Sequence, residues 1–205
     1  VTDIEIPVYI DFKSPYAYLA VKPLRAMALE YDLILDWRPY NLPIGDYLGE
    51  VETRNEHQWR RVRYSYMDVR RLANQRGVTV LGPRKLFDST TSSIGLLFAK
   101  QEGVADRYID LVFERFFKRE LDIEDTGAVT AVLEECGASG MAFRDYLAGE
   151  GAEAFRSLVE DAHLRGVFGV PSMLLDEELF WGTERMELLK ERLRTRWLEN
   201  QTQAT

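Results

Sequence analysis

An α/β domain ordered as βαβ, a long helical block and then ββα is the fold class predicted by the 205-residue sequence. Three observations carry that reading. Apolar, β-branched runs of strand length fall near the two ends of the chain, at 6–12 and 33–40 and again at 172–175 and 179–181. Between them, apolar residues recur at helical spacing and are interrupted mostly by glycines. A charged segment with apolar residues near helical spacing closes the chain. The hydrophobic share of 46% and aromatic share of 12% are those of a globular protein that buries a sizeable core.

Taken in order, 6–12 is the first strand. It breaks into Ser14-Pro15, where serine is a preferred N-cap and proline is favoured at the first helical position, so a helix starts there and runs to Tyr31. Leu19, Val21, Leu24, Met27 and Ala28 are its apolar positions, and 33–40 is the second strand. Strand, helix and strand within about 40 residues form a βαβ unit with parallel strands. Helices are predicted at 54–76, 91–101, 104–118, 127–135, 139–147 and 152–164. The runs 172–175 and 179–181, separated by Asp176-Glu177-Glu178, read as a hairpin. Met186, Leu189, Leu193 and Trp197 mark a last helix, and 199–205 is a polar tail expected to fray. This plan is a thioredoxin-like core, 1–44 with 165–205, carrying an all-helical insertion at 45–164.

Composition narrows the function. A net charge of −8 opposes sequence-independent binding of nucleic acid, which depends on clustered cations releasing counterions. No apolar run approaches the ~20 residues needed to cross a bilayer, and residues 1–15 lack the basic-then-apolar order of a signal peptide. A cytoplasmic protein with small-molecule partners is expected, bound to neither nucleic acid nor membrane. The single Cys136 excludes an intrachain disulfide and CxxC redox chemistry, and reads as a buried thiol beside a helix end at Gly137. His57 and His163 have no partners at ligand spacing, so no metal site is expected.

Candidate chemistry gathers at the seam between the first strand and helix. Helix N-termini favour anions and promote thiol ionisation, so Ser14 is either a plain cap or the edge of an anion site. Gly169-Val170-Pro171 precedes a strand. An X-Pro bond held cis there exposes the backbone of Val170 to a peptide-like ligand, and a plain turn into the strand is the alternative. In the helix at 54–76, Arg60, Arg61, Arg63, Arg70 and Arg71 form either a solvated face or a site for carboxylates, opposite a buried face of Trp59, Val62, Tyr66, Val69 and Ala73. Lys13, next to Ser14, is placed to neutralise a thiolate or a substrate carboxylate, and Tyr16 to touch substrate.

The stretch DFKSPYAYLA at 11–20, with GVFGVPSMLLDEELFWGTER at 166–185, resembles the 2-hydroxychromene-2-carboxylate isomerase family and its relatives the kappa-class glutathione transferases, in the DsbA-like branch of the thioredoxin superfamily. The resemblance implies a cytoplasmic homodimer with glutathione as cofactor. Ser14 would hydrogen-bond the glutathione sulfur and keep it as a thiolate, and Val170, before a cis Pro171, would pair with the cysteinyl part of the tripeptide. Thr183, Glu184 and Arg185 would meet its γ-glutamyl end, Glu184 standing where the family has Asp. Arg61 lies near the family's Lys position and Asn55 is the nearest Asn, while Lys13, Tyr16 and Arg63 would face the substrate. The implied reaction is isomerisation by reversible thiolate addition. A kappa-like transferase and a non-catalytic binding protein of the same fold are the alternatives.

Overall fold

The computed structural model describes residues 4–49 and 51–203. Strand β1 (Ile4–Ile10) leads through a tight turn into α1 (Pro15–Tyr31), and Asp32, in the left-handed region at φ 53°, returns the chain into β2 (Leu33–Pro39). β1 and β2 are parallel over their whole length, with Val8 opposite Trp37. Near the end of the chain β3 (Ser172–Leu175) and β4 (Glu178–Trp181) form an antiparallel hairpin, and β3 also pairs antiparallel with β1. The sheet order is β2-β1-β3-β4, so strands from the two ends of the chain meet at its centre. The sequence between them forms α2 (Ile44–Leu48), a 3₁₀ turn at Val51–Thr53, α3 (Glu56–Gln75), α4 (Thr90–Gln101), α5 (Ala105–Phe117), α6 (Thr126–Cys136), α7 (Gly140–Ala148) and α8 (Gly151–Leu164). A 3₁₀ turn at Thr183–Arg185 and α9 (Met186–Gln203) complete the described chain. This is the expected thioredoxin-like plan, a βαβ…ββα core with a helical insertion.

Several boundaries differ from the sequence reading, each for a local reason. β1 stops at Ile10 because Asp11 turns the chain: its backbone carbonyl accepts from Ser14 N at 2.9 Å and its Oδ1 from Lys13 N, also at 2.9 Å. α3 starts two residues later than expected, at the cap set by Asn55. The hairpin needs only Asp176 and Glu177 as its turn, with Asp176 at φ 55°, so Glu178 joins β4. α9 continues to Gln203 through most of the expected fraying tail; residues 204–205 and the side chain of Trp197 lie outside what is described.

One continuous buried cluster joins the sheet and the helical block. Tyr18 of α1 stacks on Phe113 and Phe117 of α5, with ring centroids 5.2 and 5.5 Å apart, and Phe12 packs against Phe113 and Tyr108. α4 and α5 approach so closely that a Cβ on Gly95 would fall 2.3 Å from the Tyr108 hydroxyl, which donates to Ser92 O at 2.9 Å. Ion pairs tie the layers together: Arg25 on α1 meets Asp106 and Asp110 on α5, and Asp36 on β2 meets Lys100 on α4. Cys136 is buried at the end of α6, and burial pushes its thiol pKa up, away from the reactive range. Among the described residues, no helix is long and apolar enough to cross a membrane.

Candidate functional site

Ser14 sits where β1 ends and α1 begins, with its backbone extended at φ −89°, ψ 112°. Its Oγ accepts a hydrogen bond from Ala17 N at 3.2 Å, so it is the cap that the Ser-Pro pair predicts. That bond uses an oxygen lone pair and leaves the hydroxyl proton available as a donor. Ser14 is only 4% exposed, yet it borders a pocket of about 450 Å³, within the usual range for small-molecule sites.

Ser14, Pro15, Tyr16 and Lys13 line one side of the pocket, and Gly169, Val170 and Trp181 line another. Two segments far apart in sequence therefore share one cavity. The Val170–Pro171 peptide is cis, as the sequence suggested. A Cβ on Gly169 would lie 2.6 Å from Trp181 Nε1, so any larger residue there displaces the indole that lines the pocket. Leu42 and Ile44 follow β2, and the insertion supplies the remaining walls: Leu48 and Val51; Trp59, Val62, Ser65 and Tyr66 from α3; Pro83 to Phe87; and Phe116 from α5.

The charge in the pocket is one-sided. Lys13, Arg54, Arg61, Arg84 and Lys85 line it, and no Asp or Glu is among the described lining residues, although the chain carries a net charge of −8. Three of these cations are committed. Arg54 Nε donates to Leu48 O and Gly49 O, both at 2.9 Å, and its guanidinium lies over Trp59. Lys85 pairs with Glu124 and lies over Phe87. Lys13 Nζ donates to Asn41 Oδ1 at 2.8 Å and lies 3.4 Å from Asp11 Oδ2. Arg61 and Arg84 have neither hydrogen bond nor ion pair among the described residues. Tyr16 donates to Asp68 Oδ2 at 3.0 Å. Burial, that hydrogen bond and the charges of Asp68 and Glu184 hold its phenol well above the ordinary pKa, so it stays protonated. Burial likewise pushes Tyr66 up to about 12.

Of the residues singled out from sequence, Ser14, Lys13, Tyr16, Arg61 and Val170 come together at this pocket. Arg63 is exposed and does not line it; being two residues from Arg61 turns it about 200° around the helix. Asn55 is engaged elsewhere: its side chain accepts from Gln58 N at 2.9 Å and Gln58 Oε1 accepts from Asn55 N, a closed capping box. Thr183, Glu184 and Arg185 form a 3₁₀ turn beyond the lining, with Glu184 folded back toward Gly182, and Pro171 flanks the pocket without lining it. Trp59, Val62 and Tyr66, expected in the core, are only partly buried because their face of α3 is a pocket wall; Val69 and Ala73 are buried. The sequence places 81–93 in the part of the insertion that shapes the pocket but gives 83–87 no individual roles; their signal is the Arg84-Lys85 pair between Pro83 and the apolar Leu86-Phe87. Among the described residues, no group of three His, Cys, Asp or Glu side chains is placed to hold a metal.

The arrangement suits an anionic, partly aromatic ligand next to a hydroxyl donor at a helix N-terminus. Comparison with known proteins agrees with the fold. A family model described as a DSBA-like thioredoxin domain matches residues 5–194. A 2-hydroxychromene-2-carboxylate isomerase of Pseudomonas putida is 30% identical over 186 residues, covering 89% of this chain and 90% of that one. The enzyme of the same name from Sphingobium xenophagum is 26% identical over 189 residues, covering 90% and 95%. A solved structure of a 2-hydroxychromene-2-carboxylate isomerase aligns with a TM-score of 0.81 at 25% identity, covering 98% of this chain and 100% of the other.

Proposed function

The chain belongs to the DSBA-like thioredoxin domain family, and within it to the 2-hydroxychromene-2-carboxylate isomerases, and on that footing we propose that it is an isomerase of aromatic 2-hydroxychromene-2-carboxylate-like substrates that works with glutathione. The observation that carries the glutathione reading is the Ser14 hydroxyl: it caps α1 through oxygen, keeps its proton free, and borders a cation-rich pocket that Val170 also lines.

The residues fit the tripeptide in kind. The backbone of Val170 is offered to the cysteinyl portion, a hydroxyl and a helix N-terminus to the sulfur, and Arg61 to a carboxylate. Held by Ser14, Val170 and Arg61, glutathione would supply a thiolate nucleophile for reversible addition to a conjugated double bond, the chemistry by which a geometric isomerisation becomes possible. Ser14 donates a hydrogen bond that favours the ionised sulfur, and the α1 N-terminus adds its partial positive charge. Arg84, which has no protein partner among the described residues, holds the substrate carboxylate, and the Lys13 charge, its ammonium already bonded to Asn41 and Asp11, offsets negative charge in the pocket through space. The apolar walls, Trp59, Tyr66, Phe87, Phe116 and Trp181, enclose the aromatic body and keep water away from it. Tyr16, clamped to Asp68, acts as a fixed wall and not as an acid. The proposed working form is a cytoplasmic homodimer, supported by the family likeness and, for the compartment, by a lone cysteine in place of disulfides.

Turnover of a ring-opened hydroxybenzylidene 2-oxo acid, followed by its ultraviolet absorbance with and without glutathione, tests the proposal. Saturable dependence on catalytic glutathione, with none consumed, is the expected result. Equal turnover without the thiol overturns the glutathione reading, and net consumption of thiol makes the enzyme a transferase.

A further inference from the structure

Asp11 is the buried group in this region that the mechanism above leaves unused. It is wholly inside the protein, three residues before Ser14, at the end of the central strand β1. Its carboxylate joins two loops of the pocket: Oδ1 accepts from Lys13 N at 2.9 Å and Oδ2 from Leu42 N at 2.7 Å. The same Oδ2 lies 3.4 Å from Lys13 Nζ, whose remaining partners are Asn41 Oδ1 at 2.8 Å and Leu42 O at 3.4 Å. Lys13 is itself 9% exposed, and it is the one cation supplied to the pocket by the β1–α1 turn.

A lysine side chain is long and flexible and bonds through three rotatable donors, so its position depends on what anchors it. Among the described residues the anchors are one carboxylate, one amide oxygen and one peptide oxygen, and of these only the carboxylate is both charged and wholly buried. We propose that Asp11 is a positioning residue for this site: it holds the Lys13 ammonium at the pocket beside Ser14 and so sets how readily a thiol bound there ionises. The inference rests on the glutathione reading above.

The surrounding charges fit that role. Burial pushes the Asp11 carboxyl up from its ordinary pKa, opposed by the Lys13 charge and by the two peptide N–H groups. Ser89, buried at the start of α4 with no hydrogen-bond partner for its hydroxyl among the described residues, lies close enough to favour the ionised carboxyl. From other elements the pocket receives Arg54 and Arg61, and Arg84 and Lys85, while Asp68 and Glu184 act on Tyr16.

The test is the pH midpoint of the ultraviolet thiolate absorbance of glutathione bound to the wild type, Asp11→Asn, Lys13→Met, Lys13→Arg and the double variant Asp11→Asn/Lys13→Met. Loss of a cation beside a thiolate raises the midpoint, by about one pH unit. Lys13→Met is expected to do so, Lys13→Arg to restore most of the shift, and Asp11→Asn to raise the midpoint too, adding nothing in the Lys13→Met background. A purely structural role would lower thermal stability with no change in midpoint. If Asp11 acted only as a neighbouring negative charge, its removal would lower the midpoint. Either result overturns the proposal, as does additivity in the double variant. Should Asp11→Asn fail to fold, an unchanged midpoint in Lys13→Met overturns it as well. A wild type that shows no thiolate at saturating glutathione overturns the glutathione reading itself, and is told apart because it fails before any variant is compared.

Discussion

Replacing Ser14 by alanine separates the cap its hydroxyl forms from the catalytic role proposed for it. The first is the helix cap, a 3.2 Å bond from Ala17 N in a buried setting. Its loss costs about 1 kcal/mol, which in a domain of this size lowers the melting temperature by roughly 2–4 °C. The second, proposed, is donation to the bound sulfur. A hydrogen bond to an ionised group contributes about 1.5–3 kcal/mol, equivalent to a rise of roughly 1–2 units in the thiol pKa and a fall of about 10- to 150-fold in turnover near neutral pH. Because the donor stabilises the ionised form, its removal moves the acid limb of the pH–rate profile upward. Ser14→Gly is the control: glycine caps within a few tenths of a kcal/mol of serine, so this variant keeps the helix start and loses only the donor. Kinetics at saturating glutathione across pH, with melting curves on the same samples, read both roles. If both variants turn over like the wild type with the acid limb unmoved, the hydroxyl is only a cap and the proposed chemistry is wrong.

Three further outcomes follow from the same geometry. Tyr16→Phe removes the bond to Asp68 and should lower stability by about 1 kcal/mol in urea titrations while leaving the shape of the pH–rate profile unchanged, since the phenol is held protonated; a lost basic limb would make it an acid after all. Asp36 pays for burial with hydrogen bonds from Lys100 and Arg38, which hold its carboxyl below the ordinary value of 3.8. Its contribution is therefore full above that value and lost as pH falls through the lowered one, so Asp36→Asn should flatten the acid side of the stability curve measured by urea unfolding from pH 2 to 6. Arg84→Gln should raise KM for a carboxylated enone about three- to tenfold, with little change for its neutral ester and none in glutathione saturation; equal effects on acid and ester would show that Arg84 only shapes the wall.

The parts of this site that were legible in the sequence are those set by local chemistry. Ser14-Pro15 announces a helix start because the cap and the fixed proline φ act within one turn, and Pro171 marks a turn for a similar reason. Asn55 shows how a local signal is missed: with Gln58 three residues on, it carries the capping-box spacing, and that bond now occupies the side chain. The α3 face was misjudged on different grounds. Periodicity identifies the side of a helix turned from solvent, but whether that side meets packed side chains or an open cavity depends on partners distant in sequence, here Phe116, Val170 and Trp181. The five-residue α2 and the segment 83–87 have no periodicity to detect, so their place in the pocket comes only from the tertiary fold.

That dependence explains why a thioredoxin-like core carries so large an insertion. Ser14 and Val170 are delivered by the sheet: β1 ends just before one, β3 begins just after the other, and the two strands pair directly, so their proximity needs nothing from the helices. A hydroxyl at the open end of a sheet would nevertheless face water, where a hydrogen bond and a helix dipole are weak. The α1–α5 aromatic stack and the Arg25 ion pairs fix α5 over α1, and α3, held to α1 by Tyr16 and Asp68, closes the opposite side with Trp59 and Tyr66. On the proposed chemistry, the core supplies the Ser14–Val170 geometry, and the insertion supplies most of the apolar, cation-bearing walls that enclose it. Weakening the Tyr16–Asp68 clasp should accordingly impair substrate discrimination more than glutathione binding, since it loosens a wall and leaves the two sheet-borne contacts in place.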